Sequence, residues 1–236
     1  MRVEIWSDFI CPYCYIGTEK FDRALEKFEH REYVKVEFKC FQLDPHTMYE
    51  QSASLLDVLR EKHEMTDQKL NEVIQSITDM GAELGLRFQW EEMKHANSFD
   101  AHRLVKYARK QEKDTALAQL LFEKYFTHNE NIGETDVLIN IAKELCLDEE
   151  EVDELLCFNT FAKAVKEDMT LAEDMGIDGV PFFIFNEKYA LSGAQPEDIF
   201  LQALEQLWEE EKDTILKQSK TAPVCTPTYC VGDECK

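Results

Sequence analysis

The sequence predicts an α/β layer fold interrupted by a large all-helical insertion. Three observations carry this. Apolar residues alternate in steps of two at Val3 and Ile5 and at Val34 through Cys40, and a short, fully apolar strand follows far along the chain at Phe182–Phe185. Between them, residues 46–177 show a helical period throughout. Without that block and the terminal tail, 86 residues remain, enough for one compact layer structure only if both ends contribute to the same sheet.

The elements follow in order. Val3 and Ile5 alternate with Arg2 and Glu4, which reads as a short strand with one apolar face. From Cys11 to about Phe28, Ile16, Ala24, Leu25 and Phe28 are spaced as the buried stripe of a helix. Val34, Val36, Phe38 and Cys40 alternate with Lys35, Glu37 and Lys39 as a second strand, so residues 1–45 form a βαβ unit with parallel strands. The insertion at 46–177 holds six or seven helices, with Leu86–Trp90 as its one extended candidate. Asp148 followed by Glu151 predicts a helix start, and Gly176 a helix stop. Phe182–Phe185 and Tyr189–Leu191 around Asn186-Glu187-Lys188 read as a hairpin. Pro196 opens a last helix, buried through Ile199, Phe200, Ala203, Leu204 and Leu207 and expected to run out at Glu209-Glu210-Glu211. The half-domain thus resumes at 178–218, and residues 219–236 read as a tail.

Composition excludes several functions. The chain of 236 residues carries 48 acidic against 26 basic side chains, a formal charge of −22, which argues against nucleic acid and anionic membranes as partners. No apolar run approaches the roughly 18 residues of a membrane span. Glu4 and Asp8 interrupt the apolar stretch at the start, so no signal peptide is expected and the expected compartment is cytoplasmic. The acidity is uneven: residues 1–45 carry −2, and the insertion carries −14.

The chemistry is concentrated in Cys11-Pro12-Tyr13-Cys14, where the first strand gives way to the first helix. Free N–H groups and the positive dipole end at a helix N-terminus stabilise an anion. Cysteines there have pKa values of about 3.5–7.5 rather than about 8.5, which makes Cys11 the candidate nucleophile. Pro12 suits the first helical position because it leaves no N–H unpaired. Cys14 lies on the same face one turn further in, within disulfide reach, and is the candidate resolving thiol. A structural zinc site would need a second Cys or His pair, and none follows, so no metal is expected. Pro181 stands at the mouth of an apolar strand, an unusual place for proline. With a cis bond before it, the main chain of Val180 would be free to pair with an extended substrate beside the cysteines.

Four segments together resemble the DsbA-like branch of the thioredoxin superfamily, most closely its FrnE-type, dithiol-disulfide isomerase-like members. They are Ser7-Asp8-Phe9-Ile10-Cys11-Pro12-Tyr13-Cys14-Tyr15-Ile16-Gly17, Asn97 through Leu104, Gly179-Val180-Pro181-Phe182-Phe183 and Ser192-Gly193-Ala194-Gln195-Pro196. They occur in the family's order, and the resemblance runs from residue 1 to about 210. It implies a thioredoxin fold (β-α-β … β-β-α) with a helical insertion, Cys11 as nucleophile, Cys14 as resolving thiol, Pro181 as cis-proline, and Val180, Pro12 and Tyr13 against the substrate. Tyr13 departs from the tryptophan more usual in the family, which bears on redox potential rather than on the type of activity.

Two readings stand for His102 and Asn97. The resemblance places their segment near the cysteines, where His102 would help stabilise a thiolate and Asn97 would contact substrate; alternatively His102 is a core-edge histidine and Asn97 a helix cap. Cys225, Cys230 and Cys235 are spaced as C-x4-C-x4-C in the tail, as an auxiliary redox set, a soft-metal site lacking its fourth ligand, or passive thiols. Cys40, Cys146 and Cys157 fall within apolar stripes and are expected to be buried.

The expected activity is thiol–disulfide exchange on protein or small-molecule thiols and disulfides, with no cofactor beyond the dithiol itself and glutathione as a candidate co-substrate. Two alternatives are carried. One is a kappa-type glutathione-dependent isomerase or transferase, such as a 2-hydroxychromene-2-carboxylate isomerase, a family that usually places serine at the position of Cys11. The other is a redox sensor that uses the tail cysteines. Nothing in the sequence marks an oligomeric state.

Overall fold

The computed structural model describes residues 1–45 and 53–221. Four strands form one sheet in the order β2-β1-β3-β4, with β1 (Arg2–Ser7), β2 (Lys35–Cys40), β3 (Phe182–Phe185) and β4 (Tyr189–Ser192). β1 runs parallel to β2 and antiparallel to β3; β3 and β4 form the hairpin. The two ends of the chain therefore do share one sheet, joined by the β1–β3 pairing of Ile5 with Phe183. Asn186 and Glu187 turn the hairpin with φ of 46° and 59°, the conformation that matches the twist of paired strands.

Because β1 is central, it is buried on both faces. Val3 and Ile5 face α1 (Pro12–Lys27) and α9 (Glu197–Thr221), where Phe21, Phe183 and Phe200 interlock with ring centroids 4.6–5.8 Å apart. Trp6 faces the other way, packed with Ala172, Ile177 and Ile184. Glu4, expected to be exposed, is buried on that second face and is held by Arg2 at 3.2 Å and Lys39 at 3.5 Å. The single apolar face expected for β1 is thus corrected to two covered faces.

Seven helices lie between β2 and β3 among the described residues: α2 (Leu55–Lys62), α3 (Asp67–Glu83), α4 (Phe99–Ala108), α5 (Asp114–His128), α6 (Thr135–Glu144), α7 (Glu149–Cys157) and α8 (Ala162–Asp174). Asp148 caps α7 by accepting from the Glu151 N–H at 3.0 Å, and Gly176 follows α8 with φ of 70°. Their shared core includes Leu117, Leu121, Phe122, Phe126, Leu138 and Ile141. Phe9 and Tyr15 join it from the sheet side, with ring centroids 5.2 Å and 5.4 Å from Phe122.

Charged groups complete the junction. Asp168 of α8 accepts from the Cys40 N–H at 2.9 Å, lies 3.6 Å from Lys39 and pairs with Lys106 of α4. Arg109 bonds Glu37 at 2.7 Å and the Phe38 carbonyl at 2.9 Å. Buried charges are tolerated here because each has a partner of opposite sign.

Two expectations at the edges of the fold change. The last helix does not end in the glutamate run. It continues to Thr221, past the expected tail boundary at 219, because Glu210 and Glu211 face Tyr189, Asn186 and Lys188 of the hairpin, while Ile215 and Leu216 pack on the core. Cys146 and Cys157 are exposed, whereas Cys40 is buried as expected. Cys146 sits just beyond α6 with φ of 51°, and Cys157 is the last residue of α7.

Candidate active site

Strand β1 delivers the turn Asp8–Ile10, and the first helix begins at its end. Cys11 is the N-cap, with φ −96° and ψ 114°; Pro12 occupies the first helical position, and no acidic residue lies in the first turn. The turn is closed by the Cys11 N–H donating to the Asp8 carbonyl at 3.1 Å, while the Cys11 carbonyl accepts from the N–H groups of Cys14 and Tyr15 at 3.0 Å and 3.3 Å. The helix N-terminus is thus directed at the cysteine pair with no competing carboxylate on that turn.

Both thiols are buried, Cys11 at 4% exposure and Cys14 at 0%, and their surroundings differ. Cys14 is fully buried, and burial pushes its thiol well above the ordinary cysteine range, assisted by a hydrogen bond to Cys11 and the charge Cys11 would carry. The Asp8 main-chain N–H and the Ser7 hydroxyl act in the opposite sense. Both cysteines are free, so this is the dithiol form. Tyr13, between them, is 40% exposed, and Pro12 is half-buried.

Across the site, the Val180–Pro181 bond is cis, and Cys11 Sγ lies 3.7 Å from the Val180 carbonyl oxygen. The loop is held by the Gly193 N–H donating to the Pro181 carbonyl at 2.8 Å and by Lys20 Nζ reaching the Ala194 carbonyl at 3.3 Å. A thiol at a helix N-terminus, a second thiol sealed behind it and a main-chain carbonyl alongside form an arrangement that can accept a disulfide, hold a mixed disulfide and release it.

His102 and Asn97 are both buried near this turn. His102 Nε2 faces Asp8 Oδ1 at 3.8 Å, and its ring lies 4.6 Å from that of Phe9. Asn97 precedes Ser98, the N-cap of α4, rather than capping the helix itself; its Oδ1 accepts from the Phe99 N–H at 2.9 Å in a turn at the helix start, and from Gln42 Nε2 at 3.2 Å. Cys225, Cys230 and Cys235 lie outside the described residues. Among the described residues, no group of three or more His, Cys, Asp or Glu side chains is arranged to hold a metal, and no helix is long and apolar enough to cross a membrane.

Sequence reasoning placed Asp8 within the segment around the cysteines and gave it no role in the site. Its signal was available: an acid between Trp6 and Phe9, at the end of a strand, needs buried partners. Gly17, at the end of the same segment, was given no role either; its role is visible only when Pro181 is brought beside it.

Solved structures share this arrangement of elements. A probable DsbA oxidoreductase, SCO1869, from Streptomyces coelicolor is 34% identical, with a TM-score of 0.84 over 89% of this chain and 91% of its own. A 2-hydroxychromene-2-carboxylate isomerase has a TM-score of 0.68 at 13% identity, covering 91% of this chain and 99% of its own, and so shares the fold. The cytosolic disulfide reductase DsbM from Pseudomonas aeruginosa, solved with GSH, has a TM-score of 0.63 at 16% identity over 89% and 100% of the two chains, again a likeness of fold. Residues 2–205 match the DSBA-like thioredoxin domain, and the chain belongs to that family.

Proposed function

We propose that the protein is a thiol–disulfide oxidoreductase, acting as a disulfide reductase or isomerase in a reducing compartment. The Cys11 thiolate attacks one sulfur of a substrate disulfide, forming a Cys11–substrate disulfide and releasing the other sulfur as a thiolate that takes up a proton. Cys14 then loses its proton and attacks Cys11 Sγ, which forms the Cys11–Cys14 bond and frees the second substrate thiol. A reducing thiol such as glutathione restores the dithiol; the DsbM structure with GSH supports that class of reductant. Val180 and Pro181 line the path of the substrate chain, with Pro12 and Tyr13 opposite. His102 and Asn97 sit behind the cysteine turn, so their contribution is to its support.

The observation that carries this reading is the asymmetry of the pair: Cys11 caps α1 beside the Val180 carbonyl, and Cys14 is sealed beneath it with its thiol form favoured. A glutathione-dependent isomerase would have no use for Cys14, and likeness of fold alone favours it. Insulin reduction tests the proposal: Cys11→Ser must abolish turnover, and Cys14→Ala must reduce it at least 100-fold. Wild-type turnover in Cys11→Ser would overturn it.

A further inference from the structure

Asp8 has no exposed surface, yet its side chain joins three segments. Oδ2 accepts from the Leu43 N–H at 2.7 Å, and Oδ1 accepts from the Ile10 N–H at 3.4 Å. The same Oδ1 lies 3.8 Å from His102 Nε2, which has no hydrogen-bond partner among the described residues. The main chain of Asp8 touches both cysteines, through its carbonyl to the Cys11 N–H and its N–H to the Cys14 sulfur. A buried carboxylate is costly unless paired, and the exchange steps above do not consume this one.

We propose that Asp8 and His102 are positioning residues that set the redox poise of the dithiol. Asp8 fixes negative charge behind the Cys11 turn, and His102, delivered by α4 of the helical insertion, offsets it. The inference rests on the thiol–disulfide reading of Cys11 and Cys14. Its physical basis is that the reduced pair carries charge as a thiolate and the disulfide carries none. A fixed negative charge nearby favours the disulfide, and the imidazole that faces that carboxylate at 3.8 Å weakens the preference. The insertion thereby acts on the reactive pair through one buried contact.

The equilibrium with glutathione reads this directly. The protein disulfide and two glutathione thiols yield the Cys11–Cys14 dithiol and glutathione disulfide; two electrons and two protons pass from glutathione to the cysteines. The full-length wild type, Asp8→Asn, His102→Phe and the double variant are equilibrated across glutathione ratios, alkylated and analysed by mass spectrometry, with urea melts confirming the fold. Asp8→Asn is expected to shift the constant about tenfold towards the dithiol, or about 30 mV for a two-electron couple. His102→Phe, which keeps a ring against Phe9 but no donor, is expected to shift it the other way, and the double variant to match Asp8→Asn.

Single variants that shift the constant in the same direction, or that both stay within twofold of wild type, overturn the inference. Should Asp8→Asn not fold, the comparison of His102→Phe with His102→Gln decides it. Glutamine keeps a donor and must restore the wild-type constant; a constant equal to that of His102→Phe overturns the inference. A wild type that forms no Cys11–Cys14 disulfide at any ratio overturns the underlying functional reading as well, whereas unchanged constants overturn this inference alone.

Discussion

A Cβ atom added to Gly17 would lie 2.8 Å from Cγ of Pro181 and 3.4 Å from Cα of Ala194. The glycine is what lets the loop beside the cysteines rest directly on α1, two turns in from Cys11. Gly17→Ala sets a gain of about 1 kcal/mol in helix propensity against about 1–3 kcal/mol of overpacking against a rigid ring. Net destabilisation of about 1 kcal/mol is expected, with a loss of turnover larger than that stability change implies, because the Val180 carbonyl moves away from Cys11. Thermal melts and insulin-reduction rates check both parts; a more stable variant with wild-type rate would contradict them.

The buried state of Cys14 predicts unequal reactivity. With its thiol held well above the ordinary range by burial, Cys14 in a Cys11→Ser protein is expected to alkylate at least 100-fold more slowly at pH 8 than Cys11 does in Cys14→Ala. Iodoacetamide kinetics followed by mass spectrometry measure this. Comparable rates would remove the assignment of resolving thiol.

Asp22 makes a pH-dependent prediction. Burial pushes its carboxyl up to about 6, opposed by the Gln119 amide, which donates to Oδ2 at 2.7 Å. The folded state therefore binds this proton more tightly than the unfolded chain, so the group disfavours folding above pH 6, and the penalty fades as pH falls towards 4. In full this proton's tighter binding is worth roughly 3 kcal/mol, and solvent at this half-buried site reduces it to about 1 kcal/mol. Asp22→Asn, which can still accept from Gln119, is expected to raise stability by about that amount at pH 7.5 and to lose the advantage near pH 4. Urea melts at the two pH values give the answer.

Asp168 supports the junction between the sheet and the helices. Removing it leaves Lys106 and Lys39 without this buried counter-charge and frees the Cys40 N–H that it accepts. Asp168→Ala is expected to cost about 3–5 kcal/mol, far more than loss of an exposed ion pair such as Lys163–Glu167 at 3.4 Å, which should cost less than about 0.5 kcal/mol. Equilibrium urea unfolding of Asp168→Ala and Glu167→Ala compares the two.

Much of this architecture was legible in the chain because hydrophobic period reports burial directly. Val36 and Phe38 marked β2, and Phe182–Phe185 marked β3. Asp148 and Gly176 marked helix ends through their capping chemistry. What escaped depends on neighbours distant in sequence. Glu4 looks like a solvent residue until Arg2 and Lys39 pair with it on the face of β1 that also buries Trp6. Cys146 and Cys157 sit beside apolar residues yet fall where helices end and turn outward. The glutamate run at 209–211 reads as a stop until the hairpin supplies Lys188 and Tyr189. In the site, the cysteine pair and Pro181 were readable from local chemistry, whereas Asp8 and Gly17 acquire meaning only from His102, Leu43 and Pro181.

The most direct test of the account is the fate of a glutathione adduct. Cys14→Ala and wild-type protein are each incubated with glutathione disulfide, quenched with acid and mapped by mass spectrometry. The account predicts one persistent glutathione adduct on Cys11 in Cys14→Ala, and in the wild type a Cys11–Cys14 disulfide with no lasting adduct on either residue. No adduct on Cys11 in the variant, or a stable Cys11 adduct in the wild type, would contradict it.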